Sequence, residues 1–438
     1  LSSHLTIGID CGTQSTKVVV LDTETQKVVG RGSRAYDILP NEDPRCAEQD
    51  VGTWIRALEE AVKDALDGLD SDKVKAISVS GQQHGFVPVD DGGHVIRPCK
   101  LWCDTTSSKE AEEIEAMTSP RRVIFPAFTS SKMLWMKKHE PGNFNRLSKC
   151  MLPHDYLNFY LTGKFVMEAG DASGTGLLDV DNKKWDAKLM AELGFEKYFP
   201  ESLQDPNQKV GNLKPEVATS LGLPLDVIVA AGSGDNMMAA LGAGAVESGR
   251  YVASLGTSGT IFCSSEKSVH SELISSFCDA LGSNLPLVCT QNCATVPEEI
   301  RKTFGGGSMS RDEITELAQN EEIGCEGIVF IPYLNGERTP NEPLSSGVLY
   351  GIRPGMLKRP GLLYRAALEG VTFAIFEGYL EMVGTPPSND GCNEANGINL
   401  VGGGSRNPLW RQIFADLFNS PVSSLEEAES AALGAALQ

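Results

Sequence analysis

Residues 6–22 hold two β-rich runs, Thr6-Ile-Gly-Ile-Asp10 and Lys17-Val-Val-Val-Leu-Asp22, on either side of a polar turn, Gly12-Thr13-Gln14-Ser15. Branched apolar side chains suit a half-buried pleated surface, so the pattern predicts a hairpin with Asp10 where its first strand ends. A third strand is expected at 27–31, after the polar turn 23–26. The layout returns at 251–263 as a strand, the turn Gly256-Thr257-Ser258-Gly259-Thr260 and a second strand. Two hairpins with the same Gly-Thr turn, far apart in sequence, point to a duplicated domain.

Between and after them the periodicity switches. Apolar positions 54, 55, 58, 61, 62, 65 and 66 predict an amphipathic helix. A strand over 74–80 stops at Gly81-Gln82-Gln83-His84-Gly85, and a short hairpin is expected over 86–97. Helices are expected at 133–139, from 156 onward and at 187–193, with residues 171–175 as a turn between short strands. The apolar run 227–231 ends in Gly232-Ser233-Gly234, followed at once by Asp235-Asn236 and a small-residue helix over 237–244. Residues 326–333 read as a strand leading to Glu337 and Arg338, an expected ion pair supporting a loop. Residues 362–383 read as one long apolar helix, 385–396 as a surface loop, and 398–418 as a strand, a glycine loop and a helix.

At 438 residues the chain has room for two cores. Its net charge of −20 would repel a nucleic-acid backbone or an anionic membrane surface. No apolar run approaches a membrane span, and residues 1–9, which do not begin with Met, lack the layout of a secretory signal. The 11 cysteines include no Cys-x-x-Cys pair and no histidine in zinc-ligand rhythm, which fits reduced thiols in a cytoplasmic protein. A homodimer is carried as the expected assembly.

Some positions suggest chemistry. Asp235 after a glycine cluster reads either as a helix cap or as a base aimed into a cleft. The first turn offers backbone N–H groups, Thr13, Gln14 and Ser15, with Lys17 beside them, a set suited to phosphate oxygens. His84 stands at a strand end, and Trp102 with Asp104 reads as an apolar wall and a polar contact for a sugar, or as core. Neither G-x-G-x-x-G nor G-x-x-x-x-G-K-[ST] occurs, so no Rossmann or P-loop site is indicated.

The order of the Asp10-x-Gly-Thr hairpin, Gly81-Gln-Gln-His-Gly, Gly234-Asp-Asn, Gly256-Thr-Ser-Gly and Gly402-Gly-Gly resembles the FGGY carbohydrate kinases. Ala47-Glu-Gln-Asp50, the block 128–135, Leu152-Pro-His-Asp-Tyr156 and the block 333–340 are similar to the branch acting on a five-carbon ketose. The resemblance implies an α/β fold of two ribonuclease-H-like domains of the actin and hexokinase type, 1–243 and 244–438, with a catalytic cleft between them. It implies ATP-dependent phosphorylation of a small-molecule sugar. Asp235 would be the general base and Asp10 would hold Mg2+. Thr13, Gln14, Ser15, Lys17, Gly256 and Thr257 would hold the ATP phosphates, and Gly403 and Asn407 would line the adenosine side. Gln83, His84, Trp102 and Asn236 would meet the sugar.

Departures from the family pattern bear on this. Gln83 stands where the branch usually has Met, and Cys103 where Asn is common. The chain stops at Gln438, where relatives are expected to continue with further helices. The rivals are a kinase of the same family for ribulose, a polyol or glycerol, and a non-catalytic ATP or sugar sensor of the same fold.

Overall fold

The structure, a computed structural model, describes residues 4–118, 122–271, 273–340, 342, 344–383, 397–425 and 429–438. The loop expected over 385–396 lies outside the described residues. The chain forms two compact units. The first takes in residues up to Gly242 together with Phe277–Asn284 and Glu429–Gln438; the second takes the remainder.

In the first unit, strands Leu5–Cys11, Ser15–Asp22 and Lys27–Ala35 make an antiparallel meander. Leu5–Cys11 also pairs in parallel with Val74–Gly81, which pairs in parallel with Ile228–Ala230 and Ser233–Gly234. Lys209–Asn212 closes that edge antiparallel to Ile228–Ala230. The central strands are buried on both faces, which is why their sequences run apolar instead of alternating. The helix Val51–Ala65 lays Trp54, Leu58, Ala61 and Val62 on the sheet, and Asp50 accepts the Gly52 N–H at its start.

The second unit repeats the arrangement. Beside the edge strand Ser275–Cys278, the other five strands of a six-stranded sheet run in the order Asn284–Thr290, Gly259–Cys263, Tyr251–Leu255, Ile398–Val401 and Val422–Ser424. The first three are antiparallel and the last two join in parallel. The long helix Pro360–Val383 is buried along most of its length in this unit's core. It is nearly uniformly apolar because it has little solvent face.

Two features fix the helix Asp235–Gly242. The final helix, Ser430–Leu437, packs on it where Gly242 meets Gly434. A Cβ on Gly434 would lie 1.9 Å from the Met238 carbonyl, so only glycine allows this approach. Gln438 then accepts hydrogen bonds through Oε1 from Ser78 Oγ at 2.8 Å and from the Gly232 N–H at 2.9 Å. The strand and the glycine turn that deliver Asp235 are thus pinned from behind.

Some expectations are corrected. Residues 171–175 are not a turn between strands. Ala169–Ala172 is a helical turn continued by Ser173–Thr175, because the Glu168 carboxylate accepts the N–H groups of Gly170 and Asp171. Within 86–97, Val87–Val89 pairs chiefly with the distant Lys149–Met151, leaving one bridge from Val89 to Val95. Asp104 does not face a sugar. It is fully buried and accepts from the Ala47 N–H, Lys100 Nζ and Thr106.

Candidate active site

Asp10, next to last in its strand, lies beside Lys17, its cross-strand partner, and accepts a hydrogen bond from Ser80 Oγ at 2.9 Å. Ser80 stands on the parallel neighbour directly opposite Asp10. Burial raises the Asp10 pKa, while the Ser80 bond and the Lys17 charge hold it down.

Asp235 begins the helix Asp235–Gly242 immediately after Ser233–Gly234. Its Oδ1 accepts the Asn236 N–H at 2.8 Å, so the acid is held at a helix start while part of its surface stays open. Burial pushes its pKa up to about 8, and the charges of Asp10 and Asp171 add to the effect. Two half-open carboxylates, one of which disfavours the other's charge, are a donor set a hard divalent cation fits, because the cation relieves the repulsion.

Asn236 Nδ2 donates to Gln83 Oε1 at 2.7 Å, which brings the 81–85 loop against the Asp235 helix. Gln83 is 3% exposed and its Nε2 has no hydrogen-bond partner. Gly234 makes the approach possible: a Cβ there would sit 2.6 Å from Gln83 Cγ and 2.9 Å from Asp171 Oδ1. His84 is buried with its Nδ1 2.8 Å from the Gly174 carbonyl oxygen. Trp102 is 45% exposed and donates through Nε1 to Thr13 Oγ1 at 2.9 Å. Thr13 in turn donates to Gln82 Oε1 at 3.0 Å. The exposed indole, the first turn and the buried 81–85 loop are therefore joined by one chain of hydrogen bonds within the first unit. Gln14 is exposed at the turn, and the Ser15 carbonyl closes it by accepting the Gly12 N–H.

In the second unit, the turn of the second hairpin presents Gly256 half-buried and Thr257 exposed. The Gly256 and Thr257 carbonyls accept the N–H groups of Ala294 and Cys293, which lead into the helix Thr295–Phe304. Gly404 is pressed against Leu255, the last residue of the strand before Gly256, so the 402–404 glycines adjoin that turn. Gly403 is exposed. Asn407 caps the helix Pro408–Phe418, accepting the Trp410 N–H at 3.1 Å and donating to Thr315 and Tyr364. Glu337 accepts the backbone N–H groups of Gln291 and Arg338, so it supports its loop through the main chain.

The model of the FGGY family of carbohydrate kinases, N-terminal domain, matches residues 5–242, and that of the C-terminal domain matches residues 251–438. This chain belongs to the FGGY family of carbohydrate kinases. The kinase is 37% identical to a xylulose kinase of Haemophilus influenzae, covering 99% of this chain and 89% of that one. It is 34% identical to a xylulose kinase of Escherichia coli, over 94% of this chain and 84% of that one. Among solved structures, a xyloylose kinase from Brucella ovis superposes with a TM-score of 0.90 at 33% identity, covering 99% of this chain and 89% of that chain. The fold is thus the two-domain α/β kinase fold of the actin and hexokinase type.

Sequence reasoning left the bed beneath Asp235 unread. Glu168 accepts from Ser233 Oγ at 2.8 Å, and His154 Nδ1 lies 2.6 Å from Asp171 Oδ2, all fully or nearly fully buried. The signal was present as polar residues inside the blocks 152–156 and 168–175. One other acidic group, Cys46, Glu48 and Asp104, has ligand-like spacing among the described residues, but Lys100 already occupies it. Its Nζ lies 3.1 Å from Asp104 and 3.3 Å from Glu48.

Proposed function

We propose that this kinase transfers the γ-phosphoryl group of ATP to D-xylulose, forming D-xylulose 5-phosphate. The acceptor is read from relatives that are xylulose kinases along nearly the whole chain. In the transfer, the terminal hydroxyl oxygen of the sugar bonds to the γ-phosphorus. The bond from phosphorus to the β–γ bridging oxygen breaks, and ADP leaves. The hydroxyl proton passes to Asp235 as general base.

One observation carries that role: Asp235 is a half-open carboxylate, oriented by Asn236, whose pKa of about 8 lies close to a working pH. A base is most effective when its pKa is near that pH. Asp10 is assigned to Mg2+, which when bound offsets charge on the phosphoryl oxygens. Thr13, Gln14, Ser15 and Lys17 are assigned to the ATP phosphates, as are Gly256 and Thr257 of the second unit. Gly403 and Asn407 are assigned to the adenosine side. Gln83, His84, Trp102 and Asn236 are assigned to the sugar. The described cysteines are all free, which supports a cytoplasmic site of action.

The unpartnered Gln83 Nε2 favours a second acceptor class, in which a ribulose, ribitol or glycerol oxygen meets that donor. A coupled ADP-release assay over ketoses, polyols and glycerol decides. D-Xylulose is expected to give the highest kcat/KM, and a higher value for another acceptor would replace this assignment.

A further inference from the structure

His84 adopts φ +66°, in the left-handed region that only a few per cent of non-glycine residues occupy. Such a conformation persists only where the surroundings over-determine it. On one side the surroundings are the start of the helix Thr129–His139. The ring of Phe128 packs on the imidazole with centroids 5.2 Å apart. Thr129 Oγ1 donates to the His84 carbonyl oxygen at 3.1 Å, and Lys132 Nζ donates to the same oxygen at 2.7 Å. On the far side, His84 Nδ1 meets the Gly174 carbonyl, where a Cβ on Gly174 would lie 2.5 Å from that nitrogen.

Lys132 is fully buried, and its other hydrogen bond goes to the Ala127 carbonyl. Its Nζ thus donates to two main-chain oxygens. A carboxylate that acts on it, Asp104, is bonded to Lys100. Burial brings the Lys132 pKa down to about 7, with Cys99, Cys103 and Asp104 raising it and Lys100 lowering it. A polar amine buried against carbonyls alone is costly to keep, and a purely apolar side chain would pack there at less expense.

We propose that Lys132, assisted by Thr129, is a positioning residue that locks the His84 main chain in its left-handed conformation and so sets the angle at which the imidazole meets the sugar. The proposal rests on the reading of His84 as a sugar-side residue. Lys132 touches no reacting atom. It acts through one carbonyl oxygen.

The test measures steady-state kinetics of the full-length kinase and its Lys132→Met, Lys132→Ala and Thr129→Val variants on the best acceptor of the wild type. Lys132→Met is expected to raise the acceptor KM about threefold to tenfold, the range for losing one hydrogen bond, with the ATP KM within about twofold. Lys132→Ala should regain much of that loss when n-propylammonium is added, since the amine refills the missing side chain. Thr129→Val should raise the acceptor KM about threefold. An acceptor KM unchanged in a folded Lys132→Met protein, or an ATP KM rising in step, overturns the proposal. If neither Lys132 variant folds, Thr129→Val decides alone, and an unmoved acceptor KM sinks the idea. A wild type that phosphorylates no acceptor contradicts instead the functional reading beneath it.

Discussion

Asn236 and Gln83 are joined by a 2.7 Å hydrogen bond, Nδ2 to Oε1, across the gap between a helix start and a strand-end loop. Asn236 also donates its backbone N–H to Asp235, so the acid, the amide and the loop move as one piece. The proposed base and the residue assigned to the sugar side are thereby held in fixed relation.

Gln83→Met removes both the acceptor used by Asn236 and the unpartnered Nε2. The expected outcome is a change of about tenfold in kcat/KM between competing acceptors, with the ATP KM unchanged. A panel of ketoses and polyols assayed side by side checks it. An unchanged ranking removes Gln83 from the specificity determinants.

The pH profile follows from the sign of the Asp235 shift. A base must be deprotonated to act, and burial with Asp10 and Asp171 raises its pKa to about 8. Activity is therefore expected to fall as pH drops through that region, and added Mg2+ should move the limb to lower pH by offsetting the Asp10 charge. The measurement is kcat/KM against pH at low and saturating Mg2+. A limb near the ordinary carboxylate range at both levels contradicts the assignment.

The same shift has a stability counterpart. Because the folded pKa lies above the unfolded one, near about 4, the stabilisation tied to the bound proton is present below that lower value. It is lost as pH rises through about 8. Asp235→Asn has no charge to bury, so it should melt above wild type at alkaline pH and alongside it in acid. Thermal denaturation across pH tests this, and a gap that fails to widen with pH counts against a buried charge.

Glu168 carries a different load. Its carboxylate accepts from the N–H groups of Gly170 and Asp171 and from Ser233 Oγ. Glu168→Ala leaves these buried donors unmatched and is expected to cost about 3–5 kcal/mol, read from chemical denaturation. It should also lower kcat, because Ser233 leads into Asp235.

Much of this was legible in the chain. The two hairpins and the helix Pro360–Val383 follow from periodicity and turn residues that operate locally. The acids Asp10 and Asp235 stood out because glycines and strand ends frame them. What stayed hidden depends on distant partners. Asp104 read as a sugar contact because nothing in its neighbourhood reveals that Lys100 folds under it. Residues 171–175 read as a turn because the capping by Glu168 competes with the local turn signal. Lys132 and His154 are buried polar side chains, and on a string of letters they look like surface residues.

The most direct test of the central claim is the turnover of Asp235→Asn with ATP and D-xylulose in a coupled ADP-release assay. Loss of the base predicts a kcat lower by about 10²–10⁴-fold with the xylulose KM within a few-fold of wild type. A kcat within about twofold of wild type, from a protein that melts normally, would mean that Asp235 does not take the proton.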